Sequence, residues 1–289
     1  MMVAKSIAEC RAMRAELGRS LAFVPTMGAL HAGHMSLVHE AKRRATHVAV
    51  SVFVNPTQFG PNEDFAKYPR PIEEDLRMCR DAGADLVFLP NEADVYPAGS
   101  PKIVIEMPDL FGVLDGVYRP GHYAGVCQIV AKLFNIVQPS VSCFGEKDYQ
   151  QLAIIRAMSK ALDFPIEVIG CPTLRDPDGL AMSSRNRYLS GLERERALSI
   201  SRGLFAIRDM AAQGERSVAT LSTRLHEELL DPSRIDPRVR GVPVELQYAT
   251  IVNATTLRPI ETIDRQAQAL IAMKVGTTRL IDNVRLQIG

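Results

Sequence analysis

Two histidines three residues apart, His31 and His34, lie in the run Pro25-Thr26-Met27-Gly28-Ala29-Leu30-His31-Ala32-Gly33-His34. An imidazole, neutral or protonated, donates a hydrogen bond to charge that grows on phosphorus. In the first turn of a helix this spacing turns both rings toward one anion. Zinc is the other chemistry such a pair suggests. No second Cys or His cluster lies nearby, however, and the His-Glu-x-x-His form is absent. Further along, Lys147 follows Gly145-Glu146 and offers a point charge suited to phosphate. Ser183, Ser184 and Arg185 add two hydroxyls and a planar guanidinium. Arg119 and His122 open an apolar helical stretch and face whatever anion sits there. Asn55, Gln58 and Gln151 are amides, donors and acceptors without charge. Each residue also has a structural alternative. Asn55 is also a turn residue before proline, Gln58 a solvated loop side chain, and the two serines helix caps.

These side chains need elements to hold them. Leu21 to Val24 reads as a buried strand stopped by Pro25, and Ser36 to Lys42 has helical spacing. The unpaired N–H groups at that helix start are an expected phosphate site. Val48 to Val54 is nearly all apolar and β-branched, as a strand buried on both faces should be. Asn55 and Gln58 then fall just past its carboxyl end, where open α/β sheets bind ligands. Ile72, Leu76 and Cys79 mark a helix whose first turn carries Glu73, Glu74 and Asp75. Those carboxylates suit the helix dipole, and one of them is a candidate to help hold Mg²⁺ on a nucleotide. Leu86 to Leu89 is a third strand and Ile103 to Ile105 a fourth, at an edge. A long helix carries Val126, Val130, Leu133 and Val137, and the strands Val141 to Phe144 and Ile166 to Ile169 bracket another helix ending near Leu162.

Strands and helices alternate to about residue 170, which predicts a Rossmann-like, doubly wound parallel sheet of the α/β class. Right-handed crossovers bring the loops after its strands to one edge, and that convergence gathers the candidate residues. Asp176-Pro177-Asp178-Gly179 marks a turn or hinge, flexible by composition. Beyond it, helices near 193–212 and 217–230 and strands near 244–251, 269–275 and 279–284 predict a second, smaller α+β domain. The expected division is 1–173 and 174–289, the second part acting as a lid.

Composition excludes several classes. The chain has 289 residues, 46% hydrophobic and 23% charged, enough for a full core. A net charge of +1 makes no electrostatic case for nucleic acid or an anionic membrane. No apolar run is long enough to span a bilayer. Five scattered cysteines without a Cys-x-x-Cys pair point to reduced thiols and a cytoplasmic setting.

Four blocks in one order make the residues familiar. They are 25–34, Phe53 to Phe59 (Phe-Val-Asn-Pro-Thr-Gln-Phe), Phe144 to Leu152 (Phe-Gly-Glu-Lys-Asp-Tyr-Gln-Gln-Leu) and Asp178 to Leu189, with Arg279 to Asn283 in addition. Over essentially its whole length the chain resembles the pantothenate synthetase (pantoate–β-alanine ligase) family, within the nucleotidyltransferase-like superfamily. The resemblance implies ATP-dependent condensation of (R)-pantoate with β-alanine through pantoyl adenylate, a step of coenzyme A precursor synthesis. It implies ATP contacts at Met27, Gly28, Ala29, Leu30, His31, Ala32, Gly33 and His34, at Gly145, Glu146, Lys147 and Asp148, at Leu174, and at Met182, Ser183, Ser184 and Arg185. It assigns proton donation to His34 and phosphate stabilisation to His31 and Lys147. Gln58 and Gln151 would hold pantoate, Gln58 and Asn55 β-alanine, with Arg119 and His122 in support. Mg²⁺ would arrive with ATP, without a protein-bound metal, and a homodimer is implied. Thr57 stands where the family commonly has methionine and Leu174 where it has valine. The competing expectations are a nucleotidyltransferase that leaves a stable adenylated product, and a non-catalytic ATP sensor.

Overall fold

The computed structural model describes residues 1–61, 63–264 and 266–289. In chain order its elements are β1 (Met2–Ala4), α1 (Ile7–Glu16), β2 (Leu21–Thr26), α2 (Ala32–Arg44), β3 (His47–Val52), α3 (Ile72–Asp81) and β4 (Leu86–Phe88). Then come α4 (Glu92–Val95), α5 (Pro108–Phe111), α6 (Asp115–Tyr118), α7 (His122–Val137), β5 (Val141–Gly145), α8 (Tyr149–Ala161) and β6 (Glu167–Cys171). The last are α9 (Gly191–Ala212), α10 (Val218–Leu230), β7 (Val244–Asn253), β8 (Gln266–Val275) and β9 (Thr278–Gln287). They divide into two compact units. The first comprises Met1–Gly112, Arg119–Glu146 and Gln150–Pro172, and the second Val113–Tyr118, Lys147–Tyr149 and Thr173–Gly289.

The first unit is built on a six-stranded sheet in the order β1-β4-β3-β2-β5-β6, with every pairing parallel. Successive side chains leave opposite faces of a strand, and both faces here are covered. Leu21 and Phe23 of β2 pack with α1 and α7 through Cys10, Val126 and Val130. Ala22 and Val24, one residue out of phase, pack with α2 and α3 through Val38, Ala41 and Cys79. The strand order reverses between β2 and β5, which makes the crevice beyond their carboxyl ends the topological switch point. The turn after β2 leads into the histidine pair at the start of α2, and β5 ends at Gly145 with Glu146 directly after it.

One expected strand is absent. Ile103 to Ile105 forms no strand, and Ile103 and Val104 are 69% and 51% exposed. A β-branched run has the propensity for a strand, but a strand also needs a partner edge and a face to bury. One edge of the sheet belongs instead to β1, whose Met2, Val3 and Ala4 pair with Leu86, Val87 and Phe88 of β4.

The second unit holds an antiparallel sheet, β7-β8-β9, with α9 and α10 on its apolar face. Leu204 and Ile207 of α9, Leu221 and Leu225 of α10, and Ala269, Ile271 and Met273 of β8 share one core. Ser190 and Glu193 cap α9 reciprocally, the two-way arrangement that satisfies two otherwise orphan N–H groups. The Asp176–Gly179 stretch is a pinned hairpin turn, not a loose one. Asp176 N–H donates to Leu180 O (2.8 Å), and Arg194 of α9 pairs with both Asp176 and Asp178. Arg175 grips Asp282 with two bonds, 2.6 and 2.9 Å, and lies over the Phe205 ring. Composition marks the turn correctly, but its partners come from elements far along the chain.

Candidate active site

In the first unit the turn after β2 has an uncommon backbone. Gly28 and Ala29 both have positive φ, 78° and 50°. A Cβ on Gly28 would lie 2.8 Å from Asp75 Oδ2 and 3.0 Å from Val52 Cγ1, so the position requires glycine twice over. The Asp75 carboxylate accepts from Ala29 N–H (3.0 Å) and Leu30 N–H (2.8 Å). His31 then becomes the N-cap of α2. Its Nδ1 accepts from Gly33 N–H (3.1 Å), and His34 Nδ1 accepts from His31 N–H (3.3 Å). This is a capping box built from two histidines. The ring centroids are 4.1 Å apart.

Two consequences follow. With both Nδ1 atoms accepting from backbone N–H groups, the neutral rings carry their protons on Nε2. The N–H groups of Gly28, Ala29, Leu30, His31 and Gly33 are all bonded to side chains of the protein. The expectation that the helix start presents bare N–H groups to phosphate is therefore corrected for these five: side chains of this chain already take them.

Beyond β3, Asn55 and Gln58 are buried and meet each other. Asn55 Nδ2 donates to Gln58 Oε1 and Gly125 O, both at 3.1 Å. Asn55 Oδ1 accepts from Thr57 Oγ1 (3.1 Å) and Tyr96 Oη (2.7 Å). All four hydrogen-bonding positions of the Asn55 amide are filled. Gln58 Nε2 donates to Met27 Sδ at 3.0 Å, which ties the amide to the motif turn. A sulfur is a weak acceptor, so this contact yields readily to a better one. A Cβ on Gly125 would lie 2.2 Å from Thr57 O, so only glycine lets α7 approach this loop.

Arg119 and His122 act on the same loop. Glu63 holds Arg119 through two bonds (2.8 and 2.6 Å), and Arg119 Nη1 lies 2.9 Å from His122 Nε2. A guanidinium only donates, so His122 Nε2 accepts and its Nδ1–H donates to Gln58 O (2.8 Å). Gln151 is half-buried in the first turn of α8, while its neighbour Gln150 donates to Leu110 O (2.8 Å) and is structural. Gly145 and Glu146 are half-buried at the end of β5. A cavity of about 210 Å³ runs beside Met27, Phe53, Arg70 and Asp75.

The remaining predicted residues belong to the second unit. Lys147 Nζ is 3.8 Å from Asp148 Oδ2, and Lys147 O accepts from Asn283 Nδ2 (2.8 Å). Asn283 Oδ1 in turn accepts from Gln268 Nε2 (2.6 Å), so β8 and β9 hold the lysine's backbone. Met182 N–H donates to Leu174 O (3.0 Å), pairing the two ends of the hairpin. Ser183 Oγ accepts from Arg185 N–H (3.3 Å) and caps the 3₁₀ turn Ser184–Tyr188. Its hydroxyl hydrogen remains available for donation. Ser184 and Arg185 are half-buried on that turn.

Sequence reasoning gave Asp75 only a helix-start or Mg²⁺-holding role and assigned none to Glu63, Tyr96 or Asn283. For Asp75 a signal was present. It stands three residues after Ile72 and four before Cys79, on the apolar stripe of its helix, where a carboxylate needs a reason. As Mg²⁺ ligands Asp75 and Glu74 fit poorly. Asp75 is fully buried and bonded to backbone, and Glu74 pairs with Arg77, which holds its carboxyl below the usual range.

The family model for pantoate-beta-alanine ligase matches residues 2–285. The chain belongs to the pantoate–β-alanine ligase family. It is 46% identical over 286 residues to the pantothenate synthetase of Geobacter sulfurreducens, covering 98% of each. It is 43% identical over 288 residues to that of Neisseria meningitidis, covering all of both. The pantothenate synthetase crystal structure from Thermus thermophilus matches with a TM-score of 0.89 at 43% identity, over 98% of this chain and 99% of that one. A pantoate-beta-alanine ligase from Francisella tularensis, solved with β,γ-ATP and β-alanine, matches with a TM-score of 0.76 at 33% identity, over 98% and 97%. The parallel sheet with a C-terminal antiparallel sheet is thus the fold of this ligase family. Its activity is the ATP-dependent ligation of pantoate with β-alanine to give pantothenate.

Proposed function

We propose that the ligation runs in two steps at the residues described above. A pantoate carboxylate oxygen attacks the α-phosphorus of ATP, and the bond to pyrophosphate breaks. The amine of β-alanine then attacks the acyl carbon of pantoyl adenylate. AMP leaves with the electron pair of the C–O bond, and the amine loses one proton. The observation that carries this reading is the imidazole pair, whose two Nδ1 atoms each accept from a backbone N–H and so fix the rings side by side at the start of α2, their centroids 4.1 Å apart. His34 donates to the leaving phosphates and His31 steadies them. Lys147, Ser183, Ser184 and Arg185 supply further positive charge and donors.

No covalent enzyme intermediate is required, in keeping with five buried free cysteines. The Gln58 and Gln151 amides receive pantoate. Asn55, with its own amide full, works by holding Gln58, while Arg119 and His122 fix the Gln58 backbone. The Francisella complex supports ATP and β-alanine as ligands. Mg²⁺ enters on the triphosphate, spreads its charge, and takes few ligands from the protein. A homodimer and a cytoplasmic setting are carried by the family resemblance.

The test is exchange of labelled pyrophosphate into ATP with each substrate omitted in turn. Exchange should require pantoate and Mg²⁺ and proceed without β-alanine. Exchange seen only when β-alanine is present would reject the two-step order.

A further inference from the structure

We propose that Asp75 is a positioning residue for adenylation: its carboxylate sets the angle at which the two histidines meet the phosphates. The inference rests on the reading that His31 and His34 act on those phosphates. Asp75 lies in the first turn of α3, with 0% exposure, 45 and 46 residues away from the groups it binds. One oxygen takes Ala29 N–H and the other Leu30 N–H, at 3.0 and 2.8 Å. A carboxylate is the acceptor that receives two consecutive N–H groups with one oxygen each, and charge strengthens both bonds.

These N–H groups belong to the stretch where the chain is strained. Ala29 has φ 50°, a left-handed conformation that a residue with a Cβ adopts only when its surroundings hold it. Leu30 is followed directly by His31, the N-cap whose ring and N–H are tied to Gly33 and His34. The chain of causes is short. Asp75 holds Ala29 and Leu30, these hold the His31 backbone, and His31 N–H holds the His34 ring. A loosened turn leaves both rings present but misplaced, and a shift of about 1 Å costs roughly a hundredfold in rate.

Asp75→Asn keeps the size and replaces one acceptor oxygen by an NH₂ that faces an N–H. In a variant that melts as a single cooperative transition, pyrophosphate exchange should fall about 30- to 100-fold. The reaction of β-alanine with synthetic pantoyl adenylate should change by less than about threefold, because the charge that develops in that step goes to the AMP phosphate and not to the departing pyrophosphate that the two histidines serve. Adding Ala29→Gly should recover part of the exchange rate, since glycine holds the left-handed conformation unaided. A residue that merely fills the core would slow both steps alike and show no such rescue, and that result overturns the proposal. If Asp75→Asn does not fold, Gly28→Ala serves, because its Cβ would crowd Asp75 Oδ2 at 2.8 Å and should give the same split between the two steps. An even loss in that variant likewise overturns it. His34→Ala is run alongside. Normal exchange in His34→Ala rejects the role given to the histidines. A loss there with normal exchange in Asp75→Asn rejects the positioning role alone.

Discussion

Asn55 and Gln58 illustrate how one residue's chemistry depends on how many of its bonds are already made. Both are amides on the same loop, both are buried, and by type alone they are interchangeable ligands. Asn55 makes four bonds within the protein, whereas the Gln58 NH₂ rests on the Met27 sulfur. On the proposed reading, exchanging that weak acceptor for a pantoate oxygen would improve the bond. Gln58→Ala and Gln151→Ala should each raise the KM for pantoate about tenfold, the scale of one lost hydrogen bond in a closed site. Direct ATP binding should stay within about twofold of wild type, because an uncharged amide adds little to the binding of a triphosphate. Equal losses for pantoate and ATP in calorimetric titrations would contradict the assignment.

At the level of elements, the second unit takes in α6, and a buried polar cluster secures it there. Tyr248 of β7 donates to Asp115 Oδ1, and Arg279 of β9 donates to both Asp115 oxygens. Burial, reinforced by the Asp115 charge, pushes the Tyr248 hydroxyl well above its ordinary range. The sign of the linkage is set by that upward shift. The folded state holds the Tyr248 proton more tightly than the unfolded chain, so the contribution is complete below about pH 10, the usual tyrosine value, and is lost as pH rises above it. Tyr248→Phe should cost about 0.5–1.5 kcal/mol at neutral pH, the net worth of one hydrogen bond. It should also flatten the alkaline fall in Tm. Melting curves between about pH 7 and 11 check both effects, and an unchanged alkaline slope in the variant would assign that slope to other groups.

For the whole molecule, the proposed nucleotide residues are divided between the two units. His31 and His34 belong to the first, and Lys147 and Ser183 to Arg185 to the second. ATP held by Ser183 to Arg185 would order the segment that carries them. ATP with pantoate should therefore slow hydrogen exchange across 174–188, while β-alanine alone should not. Arg185→Ala should weaken that protection. The Asp176–Gly179 hairpin is already pinned by Arg194, so the change should concentrate in 182–188. Identical exchange with and without ATP and pantoate would make Ser183 to Arg185 a static part of the second unit. It would also leave the expected division at residue 173 without a lid function.

The sequence by itself carried the local information. The apolar run of β2, the glycines after it, the helical spacing of α2 and α7, and the four motif blocks identified the α/β class, the order of the elements and the ligase family. Those signals are periodic or contiguous, so a chain reports them without knowing its neighbours. Tertiary structure decided what depends on contacts distant in sequence. Ile103 to Ile105 has the composition of a strand yet finds no partner, while Met2 to Ala4, too short to read as one, pairs with β4. Asp75 reads as a helix-start charge until the fold buries it against Ala29 and Leu30. Asn55 reads as a turn residue or a ligand, and only the fold brings Tyr96 and Gly125 to its amide. In each case the residue type set the bonds available, and only the packing of distant segments determined which of them were made.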